Sequence, residues 1–250
     1  MNPRNIELKD AFVKLQGYWN DDLQRALDTD PGFFEACLRL CFPSPRPPLL
    51  EARVRHLVLI AANAAVTHLN ERELGVQIKC ALDQGATREQ VREVLQMASV
   101  LGMHGFMLGA PILMRELGGG QAREASAEHR ARAEQVRDKF TAGRQYWSEL
   151  LEDMLQAHPE FFDAYADFSS VPWLTGTLEP KVREFIYVAI DVSTTHLHGE
   201  GARIHMANAL RHGATVDELV EVMQIVSCLG VQSWTTGLRV LEQVAPSAQD

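Results

Sequence analysis

An all-α fold is the architecture that this sequence predicts, and three observations lead to it. Apolar residues recur at helical spacing through most of the chain. No segment shows the sustained alternation of apolar and polar residues that is typical of a half-buried strand. The chain also repeats itself, since Trp19 and Trp147 are 128 positions apart and the same offset aligns helical patterns along both halves.

The repeat runs along almost the whole chain without a gap. We therefore predict a first repeat at residues 1–117, a linker at 118–128 that holds three consecutive glycines, and a second repeat at 129–250. The matched pairs include Phe12/Phe140, Tyr18/Tyr146, Pro31/Pro159, Phe34/Phe162, Arg55/Arg183, His68/His196 and Gly85/Gly213.

The N-terminal helices are indicated by spacing and by their caps. Apolar residues at helical spacing predict helices over Asn5–Gly17 and Asp21–Leu27. A third helix begins at Asp30-Pro31, because an acid caps a helix well when proline follows at the first helical position. The proline-rich segment Pro43–Pro48 ends this part of the repeat.

The later helices of each repeat are longer and more apolar. Glu51–Val66 contains an apolar run, and its length and alanines favour a buried helix over a strand. Gly85 suits a helix end, and Thr87 with Gln90 has the form of a capping box for the next helix. Thr215 with Glu218 repeats this box in the second copy, so the predicted fold class is all-α with two tandem repeats.

Composition excludes several classes of function. A net charge of −9 argues against a nucleic-acid-binding protein, which needs a basic surface. The N-terminus has early acids and lacks the apolar core of a signal peptide, and the apolar run Leu57–Val66 is too short to span a bilayer. We therefore expect a cytoplasmic protein that contacts neither nucleic acid nor membrane.

Cysteine usage favours structural thiols. None of the four cysteines forms a Cys-x-x-Cys pair. Cys37 and Cys41 are one helical turn apart and would share a face, where free cysteines behave as small buried hydrophobes. A redox pair is the alternative interpretation.

A histidine cluster is the main candidate for chemistry. His196, His198 and His205 fall within ten residues, beside a helix that begins at Gly199-Glu200-Gly201. The amide groups and the positive dipole end of a helix N-terminus favour a bound carboxylate. The same field would lower the pKa of a nearby imidazole and keep it neutral, in a form that can take or give a proton.

The ordered motifs of each repeat resemble the carboxymuconolactone decarboxylase family, also called AhpD-like. The second repeat shows an Arg-Glu pair on a buried helix, a helical histidine eight residues before a Gly-Ala-Thr cap, and a Glu-Val pair on the following helix. The residues are Arg183-Glu184, His205, Gly213-Ala214-Thr215 and Glu221-Val222. The resemblance covers Glu51–Leu113 and Glu179–Leu241 and leaves the N-terminal helices of each repeat outside it.

Two branches of this family imply different reactions. The alkylhydroperoxidase branch uses a Cys-x-x-Cys dithiol, and neither corresponding loop here, 67–70 or 195–198, contains cysteine. The decarboxylase branch lacks the dithiol and keeps the helical histidine, whose position His205 occupies in this chain. The first repeat has Gln77 at that position and His56 in place of Glu184, so its site is expected to be degenerate.

The resemblance therefore implies a cofactor-free decarboxylase, or a related lyase or isomerase, acting on a small carboxylated lactone or aromatic breakdown product. We expect catalysis by His205 as general acid/base, with Glu184 orienting it and His196 assisting proton transfer. Substrate binding is assigned to His198, Arg183 and Trp234, and no metal or cofactor is expected. A dithiol-type redox protein and a non-catalytic binding or assembly module are the alternative functions.

Each assignment has a structural alternative. His205 could be a hydrogen-bonded core histidine, and His196, which matches His68, could only shape its loop. Arg183 and Glu184 could form a surface ion pair with Glu179. Trp234 could belong to the core, and the three histidines together could hold a metal ion.

The resemblance also implies assembly into a homo-oligomer. Single-repeat relatives form rings of several copies, so three tandem chains would rebuild a six-copy ring with three-fold symmetry. We expect a trimer, and sedimentation at micromolar concentration measures it. A mass near that of one chain, 27.9 kDa, would contradict any oligomer.

Overall fold

The computed structural model describes residues 2–43, 47–116, 126–144, 147 and 151–245, and within these ranges the chain forms helices and turns but no strand. The all-α prediction is thereby confirmed. The first half contains α1 (Pro3–Gln16), α2 (Asp21–Thr29), α3 (Pro31–Cys41), α4 (Ala52–Ala64), α5 (Glu71–Asp83), α6 (Arg88–Ser99) and α7 (Met103–Glu116). The second half contains α8 (Ala127–Arg144), α9 (Glu152–Ala157), α10 (Pro159–Thr175), α11 (Pro180–Val192), α12 (Gly199–Arg211), α13 (Val216–Ser227) and α14 (Val231–Val244).

The tandem repeat is visible in the backbone as well as in the sequence. Helices α4, α5 and α6 recur as α11, α12 and α13 at matching positions. The loops between the first two helices match too, since Leu69 and Leu197 both adopt a positive φ, 45° and 52°. Gly85 and Gly213 end α5 and α12 at φ 89° and 83°, in the left-handed region where glycine carries no steric cost.

The predicted helix caps are confirmed at atomic detail. Asp30 accepts a hydrogen bond from the Phe33 amide at 2.9 Å, which starts α3. Thr215 and Glu218 form a reciprocal capping box at the start of α13, with distances of 3.1 and 2.8 Å. These side chains satisfy amide groups that the first turn of a helix leaves without partners.

Two compact units make up the chain, and each combines elements of both repeats. The larger unit holds residues 1–95 and 178–250, and the smaller unit holds 96–177. The boundaries 1–117, 118–128 and 129–250 therefore remain a prediction about the repeats, while the compact units divide the chain differently. Of the predicted linker, 118–125 lies outside the described residues, and Ala127 already belongs to α8.

The larger unit is built around two antiparallel helix pairs, α4/α5 and α11/α12, with α4 packed on α11. Their facing sides are almost fully buried, as expected for helices rich in alanine and branched aliphatic residues. Helix α13 packs on both α4 and α11, and α14 packs on α2. The core residues include Leu57, Val58, Ile60, Ala61, Phe185, Ile186, Val188 and Ala189.

The smaller unit packs α7 on α9 and α10 on α8. Phe140, Phe162 and Trp147 form its aromatic centre, with ring centroids 5.4 to 5.8 Å apart. A short 3-10 turn at Val100–Gly102 precedes α7.

The helical stretch Arg88–Glu116 is long and apolar enough to cross a membrane, with a mean hydropathy of 1.5 in its most apolar window. Core helices of soluble proteins pass the same test.

Candidate active site of the second repeat

A buried carboxylate–imidazole pair lies between α11 and α12. His205 Nδ1 is 2.7 Å from Glu184 Oε2, and Asn208 donates to Glu184 Oε1 at 3.3 Å. Glu184 is 1% exposed, so it is not part of a surface ion pair. Because an ionised carboxylate only accepts hydrogen bonds, Nδ1 carries a proton and Nε2 is the nitrogen that can exchange one. The predicted contact between His205 and Glu184 is present.

An aromatic side chain holds the ring of His205 in place. Tyr187, one turn after Glu184 on α11, stacks on the imidazole with ring centroids 4.5 Å apart and an angle of 19°. The imidazole is thus bound at Nδ1 and covered on one face. The His205 side chain is 25% exposed, so part of the ring remains accessible.

His196 and His198 lie in the loop before α12, as predicted. His198 is the N-cap residue, and its Nδ1 accepts the Gly201 amide proton at 3.2 Å. The neutral ring therefore carries its proton on Nε2. The centroids of the His196 and His198 rings are 5.9 Å apart. The pKa of each is lowered, chiefly by burial and then by a neighbouring imidazole, so burial is the main cause rather than the helix dipole that we expected.

Asp191 is a component of this site that the sequence analysis missed. Its carboxyl group is 3% exposed, and its Oδ1 lies 3.8 Å from His198 Nδ1. Burial raises the pKa of Asp191 to about 7, against a smaller opposing effect of His205. Two signals could have found it: Asp191 follows Glu184 by seven residues, on the same helix face, and it replaces Asn63 of the first repeat.

Gly201 is required where α12 begins. A Cβ atom there would lie 2.4 Å from both Asp191 Oδ2 and His198 Nδ1, closer than side-chain contacts allow. The glycine therefore lets α12 approach α11 closely enough to bring His198 and Asp191 together.

We expect Gly201→Ala to lower the free energy of unfolding by about 1–3 kcal/mol, because Asp191 and His198 must shift to admit the methyl group. Gly75→Ala on α5 is the matched control. Its Cβ would meet nothing within 4 Å, so the substitution should gain about 0.5–1 kcal/mol from helix propensity. Urea denaturation measures both, and equal effects of the two substitutions would contradict the predicted clash.

Arg183, which the sequence analysis assigned to substrate binding, is buried in an internal ion pair. Its side chain is 8% exposed, and Nε donates to Glu93 Oε1 at 2.6 Å. Glu93 Oε2 also accepts the Leu178 amide at 3.0 Å. This buried charge pair joins α6 of one repeat to the start of α11 in the other, so Arg183 has a structural role, and the surface pair with Glu179 is wrong.

Trp234 belongs to the first repeat's side of the larger unit. It packs edge-on against Phe33, with centroids 4.6 Å apart, and joins the core of α1–α3. It also lines a cavity that includes Gln77, the counterpart of His205, rather than His205 itself. The structure thus places Trp234 at the first repeat's cavity, and its role in substrate binding stays a prediction.

In the first repeat, amide side chains occupy several of the positions that are equivalent to this site. His56 Nδ1 is 2.8 Å from Gln77 Oε1, so imidazole and partner have changed helices. Gln232 accepts from Asn70 at 2.7 Å, contacts His68 Nε2 at 3.0 Å and donates to Asn63 at 3.0 Å. These contacts contain no carboxylate, and the expected loss of proton-transfer chemistry in the first repeat stays a prediction.

Comparison with known proteins identifies the family. The model of the carboxymuconolactone decarboxylase family matches residues 31–106 and 159–243. The match includes α3 and α10, so the resemblance extends further towards the N-terminus of each repeat than we expected. No curated protein matches the chain.

A crystal structure from Burkholderia xenovorans LB400 is similar over the full length. It is of a protein provisionally named a gamma-carboxymuconolactone decarboxylase subunit, with 36% sequence identity, coverage of 98% of both chains and a TM-score of 0.89. With the family model matched in both repeats and this relative at full length, the chain belongs to the carboxymuconolactone decarboxylase family.

Proposed function

We propose that the second repeat is a cofactor-free decarboxylase site for a small carboxylated lactone, with His205 as general acid/base. The observation that carries the proposal is the 2.7 Å contact between His205 and the buried Glu184. The family to which the chain belongs and the name of its relative from Burkholderia support the reaction class.

The reaction needs a single proton donor near the ring. When the bond to the carboxylate breaks, CO2 leaves and the electron pair delocalises into the ring carbonyl. A ring carbon then takes one proton from Nε2 of the His205 imidazolium, while the Nδ1–H group of the same ring remains hydrogen-bonded to Glu184. Glu184 stabilises the imidazolium before transfer and keeps the ring oriented after it, which makes Glu184 a positioning residue.

The loop before α12 supplies groups suited to binding the substrate. The lowered pKa values of His196 and His198 favour neutral rings, and His198 is held in the form that donates from Nε2. In this proposal the two histidines and the amide groups at the start of α12 hold the substrate carboxylate until it leaves. Asp191, with a pKa of about 7, exists partly as the neutral acid and can donate a hydrogen bond to the ring carbonyl.

Turnover of gamma-carboxymuconolactone by the purified chain tests the proposal. We expect loss of the lactone with one CO2 released per molecule, without added metal or cofactor. A peroxide-consumption assay with titration of the four thiols runs in parallel. Peroxide reduction without CO2 release would favour the redox alternative, and binding of the lactone without turnover would favour a binding module.

A further inference from the structure

A cavity of the larger unit lies outside the proposed active site. It measures about 120 Å³ and lies on the first repeat's side of the unit. Its walls are mostly apolar, with aromatic, aliphatic and cysteine side chains, and they come from α1 to α5, α13, α14 and the turn between the last two helices. This volume is somewhat below the roughly 150 Å³ of an apolar cavity that is known to hold benzene, so a single ring is the upper limit of what the cavity could take. The principal apolar lining residues are Phe12, Phe34, Leu38, Leu59, Leu229 and Trp234.

Arg55 places a positive charge at the wall of this cavity. Its Nη1 donates to the Leu15 carbonyl oxygen at 3.1 Å, and its Nε is buried without a hydrogen-bond partner among the described residues. Burial lowers the pKa of Arg55, yet a guanidinium stays protonated in proteins. A cation so placed is costly unless an anion compensates it.

The equivalent arginine of the second repeat shows what Arg55 lacks. Arg183 Nε binds Glu93 at 2.6 Å and is neutralised inside the protein. The counterpart of Glu93 is Glu221, whose oxygens instead accept the Leu49 and Leu50 amides at 2.6 and 3.3 Å. Glu221 therefore acts on Arg55 only at longer range. Among the described residues, the Arg and Glu at these equivalent positions form a close ion pair in one case, Arg183 with Glu93, and not in the other, Arg55 with Glu221.

The carboxyl groups at the cavity wall do not replace that missing partner. Asp22 is held by Arg25 at 2.8 Å, Arg72 at 3.0 Å and Arg239 at 3.7 Å. Burial raises the pKa of Glu73, and no ion pair joins Glu73 to Arg55 among the described residues. Arg55 is thus the cation at this wall that has no close carboxylate among the described residues.

We infer that the first repeat's cavity is a second binding site, for a small single-ring monocarboxylate whose carboxylate binds Arg55 and whose ring fills the aromatic pocket. The planar guanidinium suits a carboxylate, and binding would supply the Nε donor with an acceptor. The site binds without converting its ligand, because Gln77 stands where the second repeat has His205. It is separate from the proposed decarboxylase site.

Titration calorimetry with benzoate and benzyl alcohol on the full chain tests this inference. The two probes share a ring and differ in charge, so we expect benzoate to bind at least roughly ten-fold more tightly, the effect of one charged hydrogen bond. Arg55→Gln should remove this preference and leave benzyl alcohol binding. Arg53→Gln, on the same helix and paired with Glu51 outside the cavity, should change neither affinity.

Two further variants keep the test decisive if Arg55→Gln unfolds. Leu59→Phe fills the cavity while retaining Arg55 and should weaken both probes. His205→Gln leaves the cavity intact and should leave benzoate affinity unchanged. The inference is overturned if the wild-type chain binds benzoate no better than benzyl alcohol, if Leu59→Phe has no effect, or if benzoate binding is lost with His205→Gln, which would place it in the second repeat's site.

Discussion

His205→Gln should lower the decarboxylation rate by roughly 10²–10⁴-fold while the chain remains folded, because glutamine can keep a hydrogen bond to Glu184 but cannot deliver a proton near neutral pH. The first repeat supports the tolerance of the fold, since Gln77 already occupies this position and pairs with His56 at 2.8 Å. Steady-state kinetics with gamma-carboxymuconolactone measure the loss, which should appear in kcat more than in KM.

The matched control for this variant is His212→Gln. His212 is an exposed histidine at the end of the same helix, α12, and it contacts none of the proposed site residues in the described structure. It should retain wild-type turnover. Comparable activity of His205→Gln and the wild-type chain would remove His205 from the mechanism and leave it as a core histidine.

Asp191→Asn should stabilise the protein at neutral pH, by about 4 kcal/mol if the full shift of the pKa to about 7 is realised. The folded pKa lies above the unfolded value, so the contribution of Asp191 to wild-type stability is greatest below the unfolded pKa. It then falls as pH rises from about 4 to about 7, because only the unfolded chain ionises freely in that window. Asparagine cannot ionise and therefore removes this cost. Asn63, the equivalent residue of the first repeat, shows that the fold accepts asparagine at this position.

Urea denaturation of both proteins between about pH 4 and about pH 8 tests this prediction. The stability difference between variant and wild type should be small at the acidic end, grow with pH and level off above the folded pKa. Titrating groups that do not interact with Asp191 are common to both proteins and cancel in the difference, whereas His198 and His205 interact with it and contribute to the measured change. A stability difference that does not change with pH would show that burial does not raise the pKa of Asp191 in the folded state.

Local sequence signals predicted the helices and the central pair of the site. Caps such as Thr215 with Glu218 act within one turn, so their residues can be recognised without knowing the fold. The contact between Glu184 and His205 followed from two helices joined by a short loop, which must pack as antiparallel neighbours.

The surroundings of Arg183 and Trp234 depend on partners that are far away in sequence. Arg183 is bound by Glu93, ninety positions earlier, and no local pattern indicates that pairing. Trp234 packs on Phe33 because α14 of the second repeat lies against the N-terminal helices of the first. Asp191 escaped notice for another reason: a single acid in an apolar helix gives no motif, and its role depends on its burial beside His198.

The origin of the proton that replaces the carboxylate tests the central claim most directly. We propose that one proton passes from His205 to one face of the ring, so turnover in D2O should place a single deuterium on that face, detectable by NMR of the product. His205→Gln should give little product and no preference between faces. Absence of CO2 release from the wild-type chain, or equal deuterium on both faces, would contradict catalysis by the His205–Glu184 pair.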